Sequence, residues 1–156
     1  MYCPEGSSGI GGLCVSSVDY VELLRRRSAA FYRQALKAFE GGDYDVAIFL
    51  CEQAAQIRLK ALLLRLLGFT PRGHGLREML GLLSKVLEKL GKAELVRRVV
   101  GFGEARRGPL KLLEEAYTGS RYLPRPYSSE EAAEALEVVE ELLKLVDEVE
   151  GGAFGG

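Results

Sequence analysis

Residues 43–69, DYDVAIFLCEQAAQIRLKALLLRLLGF, decide the fold. Asp43 is suited to cap a helix at its N-terminus and Gly68 to close it as the glycine just past the end, which leaves about six turns between them. The apolar residues do not keep to one stripe. Tyr44, Ala47, Ile48, Cys51, Ala55, Leu59, Leu62 and Leu66 make one face, while Val46, Phe49, Leu50, Ile57 and Leu64 stand well off it. A helix that is apolar on more than one side is buried by several neighbours, or by neighbours and a second subunit. Its polar residues Glu52, Gln53, Gln56, Arg58 and Lys60 then fall where burial is deepest and an unpaired charge costs most. Core packing does not ask for them, so Glu52, Gln56 and Lys60 are read as candidates for one wall of a binding cleft.

Outward from this helix the chain reads as helices throughout. At 156 residues and 47% hydrophobic content it has room for one domain with a real core. Residues 1–18, Gly/Ser-rich and without periodicity, are expected to be a disordered lead-in; residues 19–150 form the domain and 151–156 a Gly-rich tail. A capping box over Asp19 to Glu22 starts a first helix to about Glu40, with Leu24, Ser28, Phe31, Ala35 and Phe39 inward. The Gly41-Gly42 turn is short, which predicts that the first two helices lie antiparallel. A third helix over Leu76–Leu90 carries its apolar face on Leu76, Met79, Leu80, Leu83, Val86, Leu87 and Leu90. Gly101, Gly103 and Gly108 predict only a short helix over 94–100, then a loop. Pro109 suits the first turn of a further helix to Tyr117. Two prolines make 118–127 irregular. Ser128 and Glu131 form another capping box, and the last helix is expected to end near Val149. No strand-like alternation occurs, so the expected fold is all-α, an up-and-down bundle of four to five antiparallel helices.

Charge and composition exclude several classes. No apolar run reaches the roughly 18 residues of a membrane span, and the N-terminus lacks the pattern of a secretion signal. Three cysteines without C-x-x-C and a single histidine offer neither a metal site nor a disulfide framework, so no metal or cofactor and a cytoplasmic setting are expected. Cys51 reads as a small core residue, and a Cys3–Cys14 bridge is conceivable, though nothing indicates an oxidising compartment. Net charge is −1, but residues 128–156 hold nine acids and one lysine, leaving thirteen acids against twenty basic residues, a net of +7, in the remainder. Two readings follow: an acidic solvated face on the last helix, or a basic body able to meet phosphate. The absence of asparagine and the abundance of arginine suit a thermophile.

No phosphate-cradling glycine loop, H-E-x-x-H or G-x-S-x-G motif is present. His74, between two glycines, reads as a loop or cap residue. The stretch 121–127 gathers Arg121, Tyr122, Arg125 and Tyr127 on stiff backbone beside a helix N-terminus, where peptide dipoles favour an anion. Two readings stay open: arginine grips phosphate with two parallel bonds and tyrosine stacks on bases, which makes this stretch the candidate second wall, or it is a surface loop whose tyrosines pack on the bundle.

The segment A-I-F-L-C-E-Q-A-A-Q-I-R-L-K-A-L-L-L, the following G-H-G-L-R-E-M-L, the later S-R-Y and the closing Y-S-S-E-E-A-A-E-A-L resemble the HEPN family over about residues 20–148. The resemblance implies a helical bundle that commonly forms a homodimer, nucleotide or RNA as ligand, and often a small nucleotidyltransferase as partner in toxin–antitoxin-like modules. Active members are metal-independent ribonucleases with an R-x(4–6)-H motif before the last helix, whose Arg steadies phosphate while His acts as acid or base. Arg121 stands at the motif's Arg, but after five intervening residues the histidine position holds Tyr127. Tyrosine titrates near pH 10, which counts against ribonuclease activity and in favour of binding. The stretch A-L-K-A-F-E-G-G-D-Y-D-V-A-I-F-L-C-E-Q-A also resembles one tetratricopeptide repeat, a protein-binding hairpin. No second copy recurs at the 34-residue period that a stacked array requires.

Overall fold

Six helices, in chain order α1 (Ser17–Glu40), α2 (Tyr44–Leu67), α3 (Leu76–Lys89), α4 (Ala93–Ala105), α5 (Arg107–Gly119) and α6 (Ser129–Phe154), make up the computed structural model. It describes residues 17–73, 75–119 and 125–155; no strand occurs among them. Cys3 and Cys14 lie outside the described residues, whereas Ser17 and Val18 already belong to α1.

The glycine turn between α1 and α2 works as read. Gly42 adopts φ 81°, and the Gly42 and Asp43 N–H groups donate to Phe39 and Ala38 O at 3.1 and 2.9 Å. This pairing satisfies carbonyls that the helix end would leave orphaned, and it needs the left-handed conformation that glycine adopts freely. The chain reverses, and α1 packs along α2. Leu24, Ser28 and Ala35 are buried and Phe31 and Phe39 half-buried, as the three-and-four spacing demands. The predicted cap at Asp19 is displaced: α1 opens two residues earlier, at Ser17, and Asp19 lies in its first turn, where an acid still meets the positive end of the helix dipole.

α2 sits at the centre, packed against α1, α3, α5 and α6. Its buried residues fall all round the helix, from Ala47, Ile48 and Cys51 to Leu59, Leu62 and Leu63. α3 instead buries a single stripe of Leu76, Met79, Leu80, Leu83 and Leu87. Together with Leu110, Leu113, Val139, Leu142 and Val146 these side chains form one continuous core.

Two expectations change. Residues 101–105 are not a loop but the second half of α4. Each glycine inside a helix costs roughly 0.5–1 kcal/mol, yet Val99, fully buried, and Phe102, packed on the core, continue the apolar face across Gly101. Burying them outweighs that cost, and the all-α bundle has six helices among the described residues. α6 likewise continues past Val149 through Gly151 and Gly152 to Phe154. A Cβ at Gly152 would lie 3.1 Å from Leu95 Cδ1, so close packing against α4 calls for a small residue there. The capping box at the other end of α6 is present in full: Ser128 Oγ accepts from the Glu131 N–H and Glu131 Oε1 accepts from the Ser128 N–H, both at 3.1 Å. Helices of such unequal length do not repeat the α1–α2 hairpin, which leaves the stacked-repeat reading without a second unit.

Candidate functional site

Asp45, Glu52, Gln56 and Lys60 step by seven, four and four along α2, which puts them on one side of the helix. Glu52 is its centre. The residue is only 1% exposed, and its carboxylate accepts from Gln56 Nε2 and from Gln53 Nε2, both at 2.7 Å. Burial pushes its pKa up to about 7; the two amide donors and Lys60 pull the other way, and Glu114 on α5 adds to the rise. Amides stabilise a carboxylate by their dipoles without cancelling its charge, so desolvation prevails. Lys60 shows the mirror effect: burial lowers its pKa while Glu52 raises it.

On the α3–α5 side Glu114 is held by Arg77. The Arg77 N–H donates to Glu114 Oε1 at 2.9 Å, and its Nη2 donates to Oε2 at 2.7 Å. Burial acts to raise the Glu114 pKa, but these bonds outweigh it and hold the group below the ordinary carboxylate value. The glycine loop before α3 lies against the same carboxylates, since a Cβ at Gly75 would approach both Glu78 and Glu114.

Tyr127, just before α6, meets the N-terminal end of α2. The Tyr127 N–H donates to Asp45 Oδ1 at 3.1 Å. This fixes Tyr127 beside Asp45, which stands about 10 Å, or two turns, from Glu52 along the α2 polar row. Tyr127 is buried and belongs to the core. Burial raises its phenol pKa, only partly offset by Arg125, which moves it further from a general base at neutral pH. The Arg125 guanidinium lies 4.4 Å from the Tyr127 ring centroid and donates to Glu131 Oε2 at 2.6 Å. Exposed pairs of this kind are worth only about 0.2–1 kcal/mol, so Arg125 can exchange Glu131 for another anion. Arg121, Tyr122 and His74 lie outside the described residues. The ends bracketing Arg121 are placed: α5 ends at Gly119, and Glu115 on α5 acts electrostatically on both Arg125 and Tyr127.

Sequence reasoning marked Arg58 but not its partners. Arg58 Nη2 donates to Asp147 Oδ1 at 2.8 Å and to Glu150 Oε2 at 3.1 Å, and Glu150 also lies 3.6 Å from Arg25 Nη1 and 3.2 Å from Arg65 Nη1. Other acids of α6 meet Arg98, Arg106 and Arg125. Neither charge reading from sequence survives intact, because α6 turns a good part of its acid toward the basic helices. Asp45 was also missed; its seven-residue distance from Glu52 was the available signal. Among the described residues no group of three or more His, Cys, Asp or Glu could hold a metal ion, and no helix is long and apolar enough to cross a membrane.

A family model described as the HEPN domain matches residues 21–149. The crystal structure of an archaeal HEPN homologue is similar to this chain with a TM-score of 0.56 at 23% identity, covering 83% of this chain and 97% of that one. The structural likeness is one of fold. No curated protein matches.

Proposed function

Because the chain belongs to the HEPN family, we propose that it binds a nucleotide or single-stranded RNA between the α2 polar row and the arginine- and tyrosine-bearing stretch before α6, and that it does not cleave it. The observation that carries this reading is the Tyr127–Asp45 hydrogen bond, which ties the end of that stretch to the helix side bearing Glu52 and Gln56. Arg121 and Arg125 supply phosphate contacts, Tyr122 a ring for a base, and Gln56 and Lys60 polar groups on the opposite wall. Hydrolysis is left out because the position of the family's histidine holds Tyr127, whose phenol is buried and harder to ionise than usual.

Titration of labelled single-stranded RNA at low salt tests the proposal. Arg121→Ala and Arg125→Ala are each expected to weaken binding about tenfold and to reduce the salt slope by about one. Unchanged affinity in both would remove the site. Incubation with RNA in EDTA is expected to leave it intact; a cyclic-phosphate product lost in Tyr127→Phe would restore the ribonuclease reading. On the family resemblance we also place the chain in a homodimer that pairs with a nucleotidyltransferase-type protein in a toxin–antitoxin-like module. A monomeric mass in light scattering across micromolar concentrations would contradict the dimer, and failure to co-purify such a protein from the native host would contradict the pairing.

A further inference from the structure

Away from that cleft, α1, the C-terminal half of α2 and the last turns of α6 converge on Arg58. Two adjoining clefts of about 280 and 300 Å³ open there, and Arg25, Arg58 and Asp147 line both. The Arg58 side chain is only 5% exposed. Its Nη2 is fully engaged by Asp147 and Glu150, but its Nη1 has no hydrogen-bond partner among the described residues. A buried guanidinium donor left unpaired is costly, and what satisfies it must be an acceptor. The surroundings set the charge of that acceptor. Arg25, Arg26, Arg58 and Arg65 line the two clefts against Glu22, Asp147 and Glu150, four guanidiniums to three carboxylates.

The carboxylates are not equally committed. The Glu150 side chain is 5% exposed and lies within 3.6 Å of three arginines, although its Oε1 accepts no hydrogen bond among the described residues, whereas the Asp147 side chain is 62% exposed and meets Arg58 alone among the ion pairs. Asp147 can therefore swing into water at little cost, releasing an Nη2 donor beside the unpaired Nη1. The geometry points to a phosphate-binding site here, in which a phosphate group accepts from both Arg58 Nη atoms and from Arg25 while Asp147 yields its place. Two neighbouring oxygens match the guanidinium fork, and the dianion offsets the excess of arginine once Asp147 has left. Arg65, stacked 3.8 Å from the Phe154 ring centroid, is held at the rim to add a further donor. This site lies on a different side of α2 from Glu52 and stands or falls independently of the RNA cleft.

The test is calorimetric titration of the full chain with inorganic phosphate at low ionic strength, with acetate as the control anion. Saturable phosphate binding is expected, tightened about tenfold in Asp147→Asn, which removes the competing internal charge, and weakened about tenfold in the Arg25→Ala/Arg65→Ala double variant. That double variant leaves Arg58 in place, and its circular dichroism is to match that of the unaltered chain. In Arg121→Ala, which removes a phosphate contact proposed for the other cleft, the phosphate binding that the Arg25→Ala/Arg65→Ala double variant weakens is expected to persist. A nucleoside 5′-monophosphate that binds more tightly than phosphate identifies a free nucleotide as the source of the group; tighter RNA binding with a steep salt slope identifies a nucleic-acid backbone. No saturable binding in either the unaltered chain or Asp147→Asn overturns the proposal, as does equal binding of acetate, or loss of phosphate binding in Arg121→Ala alone. The arginine cluster would then be a structural tie only.

Discussion

Glu52 and Glu150 are both almost withdrawn from solvent, at 1% and 4% exposure, yet one is surrounded by amides and the other by guanidiniums. Glu150 joins three helices through Arg25 of α1 and Arg58 and Arg65 of α2. Glu52 has two glutamine donors from its own helix, and the opposing charge that acts on it is Lys60, itself partly buried. The contrast separates two uses of a buried acid. Where full charges meet, the carboxylate works as a tie between elements, and removing it strands an arginine. Where only dipoles meet it, burial is incompletely compensated and the protonation state stays open near neutrality, a common mark of functional positions.

The sharpest way to break this comparison is to delete each acid. Glu150→Ala leaves Arg58 buried with Asp147 alone, and urea unfolding at pH 7 is expected to show a loss of about 3–5 kcal/mol. A loss below about 1 kcal/mol would mean that the cluster is not a tie. Glu52 predicts a dependence on pH instead. Its folded pKa of about 7 lies above the ordinary carboxylate value, so the folded state holds a proton that the unfolded chain has already released. Stability is therefore unaffected by this group below about pH 4, falls as pH rises toward 7, and above pH 7 is lower by roughly 3 kcal/mol. Glu52→Gln is expected to flatten that decline; an unchanged decline would assign it to other groups. The smallest effect belongs to Ser128→Ala, which removes one member of the capping box on the exposed start of α6 and is expected to cost about 1 kcal/mol. It sharpens the comparison by giving the scale of an exposed polar contact against the two buried ones.

How much of this was legible beforehand varied with the range of the interactions. Local signals held: the Gly41-Gly42 reversal, the Gly68 end of α2 and the Ser128/Glu131 box all rest on contacts within a few residues, and α2 does begin after Asp43, although the Asp43 side chain makes no capping bond. The second half of α4 and the end of α6 did not follow from local propensity. Glycine is a poor helix residue, and only the packing of Val99 and Phe102 on the core and of Gly152 on Leu95 keeps those segments helical. In the site, Glu52 and Gln56 stood out because polar residues on a helix apolar all round need a reason. The partners of Arg58 lie 89 and 92 residues along the chain, so nothing near Arg58 announces them. Counting charges by segment suggested a basic body and an acidic helix as separate objects, when the fold sets many of these groups against each other.

The direct test is an amide NMR titration of the full chain with a short single-stranded RNA, which reads both regions at once. Shifts at Asp45, Glu52, Gln56 and Tyr127 that disappear in Arg121→Ala are the predicted result. Silent amides along that row, whether or not those around Arg58 and Glu150 respond, would contradict it.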